Sequence, residues 1–486
     1  MQTETESVLS KLVPLKPLDL SGLDTVGKIV DEMKFCAFGA RNLGEVCTTV
    51  FDWARFGLKP TVVYGGYSHN LLGNLLYSMR DNGWFSAIKN EEEFIRGPVS
   101  ERVIVIGSYP ERIEELLSKS EQIIFINQYG MAFPGHLQEG YYPNFIHGDP
   151  NFIVPVLNAY LEEKLLGRAS SATELICHMK NFDGLGSKVF EGMDVISRMT
   201  DDPDCTVFLT ISGAMTIAKM GLSFTDLIEK GKVQAITTTG ALMAHGLIEN
   251  MGLVHYKHNP DIPDAVLARL MLNRVTDTLE PESNLDEAEE VMAAALKEIH
   301  IGNGLLAPTE INRLIGKYIC NKFPETRGIL MAAYRMKVPV FVPAFHDSEL
   351  GNDLLVYNHR LAMQGIYQGQ ILIDQELDSW KLIKMTTQAK KLGIISIGGG
   401  VPRNYIQNIA PLVDILNQRL KLGLVENQFS YGVRICPEPP VYGNLSGCTY
   451  SEGITWRKFR QDALKAEIQA DATLVWPFLA RSVLFE

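Results

Sequence analysis

Short apolar runs recur along the chain as TVVY (61–64), VIVI (103–106), IIFI (123–126), TVFLT (206–210), VQAI (233–236), VPVFV (338–342), QILI (370–373), GIISI (393–397) and GVRIC (432–436). Each is continuous rather than alternating, the pattern of a strand covered on both faces of a parallel sheet. Between them lie stretches with apolar residues three or four apart, among them 111–120, 285–299 and 379–393, which predict amphipathic helices. Strand and helix in alternation predict an α/β fold with a mostly parallel sheet flanked by helices. Such sheets bind ligands beyond the carboxyl ends of their strands, so chemistry is to be sought just after each apolar run.

Three of those positions are rich in small and hydroxyl residues: I-S-G-A-M-T (211–216), T-T-T-G-A (237–241) and G-G-G-V-P-R-N (398–404). Small side chains there let backbone N–H groups approach a phosphate, and a dinucleotide is the usual occupant of such turns. None reads G-x-G-x-x-G, so spacing alone leaves open that the glycines only make tight turns. A change of strand group near residues 150–175 predicts two domains, an N-terminal α/β domain of unassigned role at 1–165 and a second domain at 166–486. The N-terminal part carries its own strand-to-turn stretches, VVYGGYSHN (62–70) and VIVIGSYPE (103–111).

With 46% hydrophobic and 21% charged residues the composition is that of a globular protein. A net charge of -12 argues against nucleic acid or an anionic membrane as partner and suits a cationic small molecule. The seven cysteines are odd in number and never arranged as C-x-x-C, which reads as reduced thiols. His255 and His258 form H-x-x-H without a third ligand at helical spacing, so no metal site is expected. The N-terminal residues lack a basic and apolar leader pattern, and no apolar run is long enough to span a bilayer, so a cytoplasmic, soluble protein is expected.

From about residue 170 onward the chain resembles the deoxyhypusine synthase family. The matching pieces, in the family's order, are 202–216, 237–241, 273–281 (N-R-V-T-D-T-L-E-P), 338–351 (V-P-V-F-V-P-A-F-H-D-S-E-L-G), 395–404, 452–459 (E-G-I-T-W-R-K-F) and 470–477 (A-D-A-T-L-V-W-P). The resemblance implies a Rossmann-like NAD-binding catalytic domain, a homotetramer, and transfer of an aminobutyl group from a polyamine such as spermidine. In that chemistry an active-site lysine holds the fragment as an imine and passes it to an acceptor, either a protein lysine or a small amine such as putrescine. A non-catalytic NAD-binding protein is the remaining alternative.

By the same resemblance the lysine is Lys458 of T-W-R-K, with Arg457 and Trp456 as the neighbours expected to desolvate it and lower its pKa. Glu452 matches an acid that holds a substrate ammonium, and Trp456 an indole packed on the aliphatic chain. Cofactor contacts fall on Ser212, Gly213, Thr238, Thr239, Asp347, Gly398, Gly399, Gly400, Gly443, Asp471 and Ala472. Three positions of the polyamine pocket depart from the family pattern: Asn352 and Leu445 stand where acids are usual, and Asn404 replaces a histidine. An ammonium buried without its anion costs about 3–5 kcal/mol, so these departures imply a donor amine whose far end is less charged, or compensation by Asp353.

Overall fold

The computed structural model describes residues 2–65, 70–107, 112–127, 145–297, 304–367 and 369–485. The expected turns at 66–69 and 108–111 lie outside them. The chain divides into two compact units, one formed by Asp19–Met193 with Ile468–Glu486, the other by Met1–Leu18 with Asp194–Glu467. The chain therefore passes between units more than once, instead of at a single point near residue 165.

In the first unit five strands form a parallel sheet: β1 (Thr61–Tyr64), β2 (Ala87–Lys89), β3 (Ser100–Ile106), β4 (Ser120–Asn127) and β5 (Phe145–His147), in the order β2-β1-β3-β4-β5. Local chemistry sets the helix ends. Asn90 and Glu93 form a reciprocal capping box, as do Ser171 and Glu174. The helix Pro150–Leu166 begins with Asp149 as cap and proline in its first turn, and ends at Gly167 with φ 68°.

The C-terminal helix Ala472–Phe485 belongs to this unit and is apolar nearly all round, because it is buried nearly all round. Trp476 within it is 1% exposed, and Phe478 meets Phe152 edge to face at 5.8 Å. Trp476→Ala is expected to destabilise the protein by about 3–5 kcal/mol, read as a lower urea midpoint.

The second unit carries a six-stranded sheet: β6 (Cys205–Ile211), β7 (Ala235–Thr238), β8 (Val340–Phe341), β9 (Lys391–Ile397), β10 (Phe429–Ile435) and β11 (Phe459–Ile468). Their spatial order is β8-β7-β6-β9-β10-β11, and β8 through β10 run parallel. Numbered within the sheet this is 3-2-1-4-5-6, the doubly wound dinucleotide-binding order, whose direction reverses between β6 and β9. Phe208, Phe341, Ile394, Phe429 and Phe459 meet in one buried cluster that fixes the strands' register. The apolar run at 370–373 does not join this sheet; among the described residues Leu372–Ile373 pairs with Leu305–Leu306. The helix expected to reach 393 ends at Gln388, because Lys391–Ile397 is needed as the strand beside β6. Among the described residues no helix is long and apolar enough to cross a membrane.

Candidate active site

At the reversal of strand order the turns after β6 and β9 lie side by side, since the Ser212 N–H donates to the Ile397 carbonyl at 2.9 Å. Gly213 has φ 71° and no neighbour within 4 Å of where a side chain would begin. Gly398 and Gly400 also take positive φ, 79° and 69°. A Cβ on Gly399 would stand 2.6 Å from the Ser446 Cα, so this turn needs glycine for close backbone approach as well as for conformation. Arg403 and Arg434, both nearly fully buried, hold the Ser446 segment from behind. Arg403 donates to the Leu445 and Cys448 carbonyls at 2.7 and 3.0 Å, and Arg434 to those of Ser446 and Cys448 at 3.0 and 2.8 Å.

A cleft of about 670 Å³ opens beyond β6 and β7 and brings together Gly213, Thr239, Asp347 and Asn352, with His245, His346 and Glu349 on its walls. Thr239 caps the helix Gly240–Asn250 through the Leu242 N–H. Thr238 is 1% exposed and its hydroxyl has no hydrogen-bond partner among the described residues. An open glycine turn at the strand reversal and an orphaned buried hydroxyl fit a dinucleotide. Gly443 lies with φ 66° at the end of the short helix Pro440–Tyr442, ahead of the segment that the two arginines hold. Asp471 and Ala472 belong to the other unit, where the Asp471 carboxylate accepts from the Thr473 N–H and hydroxyl at 2.8 and 2.9 Å.

Lys458 directly precedes β11 and is 8% exposed. Its Nζ donates to Asn404 Oδ1 at 2.9 Å, and Asn404 lies one helical turn beyond Gly400, so the amine is fixed to the glycine turn of β9. No carboxylate among the described residues forms an ion pair with it. Burial lowers its pKa, and Arg403 lowers it further, against the opposite pull of Cys448 and Glu452. Arg457 does not supply this cation as expected: with φ 59° it turns away and pairs with Asp414 at 2.7 Å. Trp456 is 60% exposed, with its ring centroid 6.0 Å from the amine, so the burial comes from elsewhere. Glu452 is exposed on the short helix Tyr450–Thr455.

A family model described as deoxyhypusine synthase matches residues 174–483. The chain belongs to the deoxyhypusine synthase family. Similar proteins named "Probable deoxyhypusine synthase" come from Methanosarcina acetivorans (29% identity over 64% of this chain and 86% of that protein) and Archaeoglobus fulgidus (30% over 57% and 82%). A "Deoxyhypusine synthase-like protein" of Chlorobaculum parvum is 29% identical over 59% of this chain and 78% of its own length. The family match begins at residue 174, leaving most of the first unit outside it.

Asp353, one residue beyond Asn352 on the helix Glu349–Met363, has its pKa pushed up to about 7. Burial is the main cause, with the like charges of Glu289, Glu349 and Asp286 adding to it against Arg360. A carboxyl whose folded pKa is raised from 3.8 contributes stability at low pH that is lost as pH rises through 7. Asp353→Asn should therefore unfold at a higher temperature than the parent at about pH 8, by roughly 1–2 kcal/mol for a half-solvated group, and match it near pH 4. Thermal melts at the two pH values check this.

Proposed function

We propose that this protein is an NAD-dependent transferase that moves an aminoalkyl group from a polyamine-like donor to an acceptor amine through an imine on Lys458. The observation that supports this reading best is the state of Lys458: nearly buried, without a carboxylate partner, hydrogen-bonded to a neutral amide and lowered in pKa. A lysine must be unprotonated to attack carbon, and desolvation beside a second cation is how proteins achieve that.

Ser212, Gly213, Thr238, Thr239, Asp347, Gly398, Gly399, Gly400 and Gly443 would hold the dinucleotide, which when bound supplies a hydride acceptor and later returns the hydride. The assignment of Asp471 and Ala472 rests on the resemblance alone. Asn404 orients Lys458 Nζ through its side-chain oxygen. The neutral amine adds to the carbon of the oxidised donor's C=N bond; the Lys458 nitrogen–carbon bond forms, the donor's own carbon–nitrogen bond breaks, and the smaller amine leaves. Attack by the acceptor amine reverses that exchange and frees Lys458. Trp456 offers an aromatic face and Glu452 a carboxylate to a cationic chain.

Asn352 and Leu445, the latter 42% exposed, stand where the family pattern has acids and so lessen the negative charge, while Asn404 puts a neutral amide in place of a histidine. This favours a donor or acceptor with fewer ammonium groups, and a small-amine acceptor belongs to the same proposal, as does assembly into a homotetramer. The full-length protein incubated with NAD and spermidine, putrescine or a guanidine-bearing amine, singly and in pairs, should give a chromatographically new amine only when NAD is present. No consumption of any donor, with or without a protein acceptor, would rule the transfer out.

A further inference from the structure

We infer that His245 is the proton acceptor of the cleft, aimed by a buried chain that runs through Glu280, His255 and Lys219 to Glu249. The inference rests on the transferase reading, which needs such a group. A carbon beside nitrogen surrenders a hydride only when that nitrogen carries a free electron pair, so the donor's ammonium must first lose a proton. The Asn404 amide that accepts from Lys458 Nζ takes up no proton at neutral pH, and the Glu452 carboxylate whose charge reaches Lys458 is exposed to solvent.

The five residues come from four parts of the second unit, His245 and Glu249 sharing one helix. His245 lies on the helix Gly240–Asn250, His255 just before the strand Tyr256–Lys257, and Glu280 within the strand Thr278–Pro281. Lys219 stands in the turn region after β6 with φ 70°, a conformation rare outside glycine, and is 1% exposed. Its Nζ sits 2.7 Å from Glu249 Oε1 and 2.8 Å from His255 Nδ1. His255 Nε2 is 3.1 Å from one oxygen of Glu280, and His245 Nδ1 is 2.5 Å from the other. Glu280 and His255 are 2% and 0% exposed, whereas His245 is 12% exposed and lines the cleft.

Two readings fit a pair of imidazoles converging on one buried carboxylate: three ligands around an ion, since the ligand atoms lie within 4.8 Å of one another, or a relay in which the carboxylate's charge orients each ring's proton. Neither imidazole makes a linear hydrogen bond to Glu280, which by itself suits either. Lys219 decides between them. An ammonium only donates, so His255 Nδ1 must accept, and the ring's single proton then sits on Nε2. An ion on Nε2 would need that proton moved to Nδ1, against the ammonium. His255 therefore carries its proton on Nε2, the nitrogen 3.1 Å from Glu280. Although burial works against the charged carboxylate, the two imidazoles outweigh it and hold Glu280 at about 2.

An ionised Glu280 2.5 Å from His245 Nδ1 favours the proton on that nitrogen, which leaves His245 Nε2 unprotonated on the side of the ring away from Glu280. Besides Glu280 and His255 behind it, His245 shares the cleft with His346, Asp347 and Glu349. The step is a proton transfer alone: the nitrogen–hydrogen bond of the bound ammonium breaks, a bond to His245 Nε2 forms, and the electron pair stays on the amine. His245 is thus the catalytic residue of this step, and Glu280, His255 and Lys219 are positioning residues.

Side-chain nitrogen NMR of the full-length, ligand-free protein tests this without turnover, His245 being identified by the signals lost in His245→Gln. The expected result is His245 with its proton on Nδ1 and His255 with its proton on Nε2, and loss of the His245 preference in Glu280→Gln. His245 protonated on Nε2, or stoichiometric metal that disappears in His245→Gln, would overturn the relay. With a donor that turns over, His245→Gln should lower kcat about 10²–10⁴-fold. It should also remove the acidic limb of the kcat/KM profile with little change in KM; an unchanged limb would overturn the proposal. If no amine turns over, the transferase reading fails while the tautomers still decide this one.

Discussion

Lys458→Ala is expected to lower aminoalkyl transfer by at least about a thousandfold while leaving NAD affinity within about twofold, because it removes the group that bonds to the fragment and no group that meets the dinucleotide. Rapid-quench assay of product and calorimetric titration of the cofactor separate the two. Lys458→Arg is the sharper variant. It keeps a cation and a donor for Asn404 Oδ1, yet a guanidinium stays protonated and forms no imine, so it should be as inactive as alanine. If arginine restored more than about a tenth of the rate, Lys458 would be acting as a charge and not as a nucleophile. Because Lys458 is buried without an ion pair, alanine should cost little stability, and loss of activity is then not loss of fold.

Gly399→Val is expected to weaken NAD binding by at least about a hundredfold and to destabilise the protein by about 1–3 kcal/mol. The added carbon would stand 2.6 Å from the Ser446 Cα and 3.0 Å from its carbonyl oxygen. That backbone has nowhere to go, since Arg434 grips the same carbonyl at 3.0 Å and Arg403 holds the residues on either side. The glycine turn after β9 would have to give way instead, and it lies beside the β6 turn at the strand reversal. Calorimetry for NAD and circular dichroism across a urea series check both parts; unchanged affinity would place the dinucleotide elsewhere.

The strands of both sheets were legible where burial on two faces makes an apolar run continuous, as at 61–64, 206–210 and 393–397. β11 was not, because most of its residues are exposed or half-buried, and QILI misled because an apolar run does not name its partner strand. The placement of Ser212, Gly213 and Gly398–Gly400 at adjacent strand ends follows from a strand order that no local pattern carries. Arg457 shows the same limit in one side chain: sequence neighbours Lys458, but the backbone turn at φ 59° sends it to Asp414, while Arg403, far away in sequence, takes its place. H-x-x-H lacked a third ligand in sequence; the groups that complete a cluster with His255 come from a helix and a strand elsewhere, and they exclude His258.

Borohydride reduction of the full-length protein in the presence of NAD and a donor amine, followed by peptide mass spectrometry, tests the proposed imine most directly. A donor-dependent mass increase equal to the aminoalkyl fragment, located on Lys458 and missing when NAD is left out, is the predicted result. An adduct on another lysine, or none on Lys458 with a donor that is visibly consumed, would contradict it.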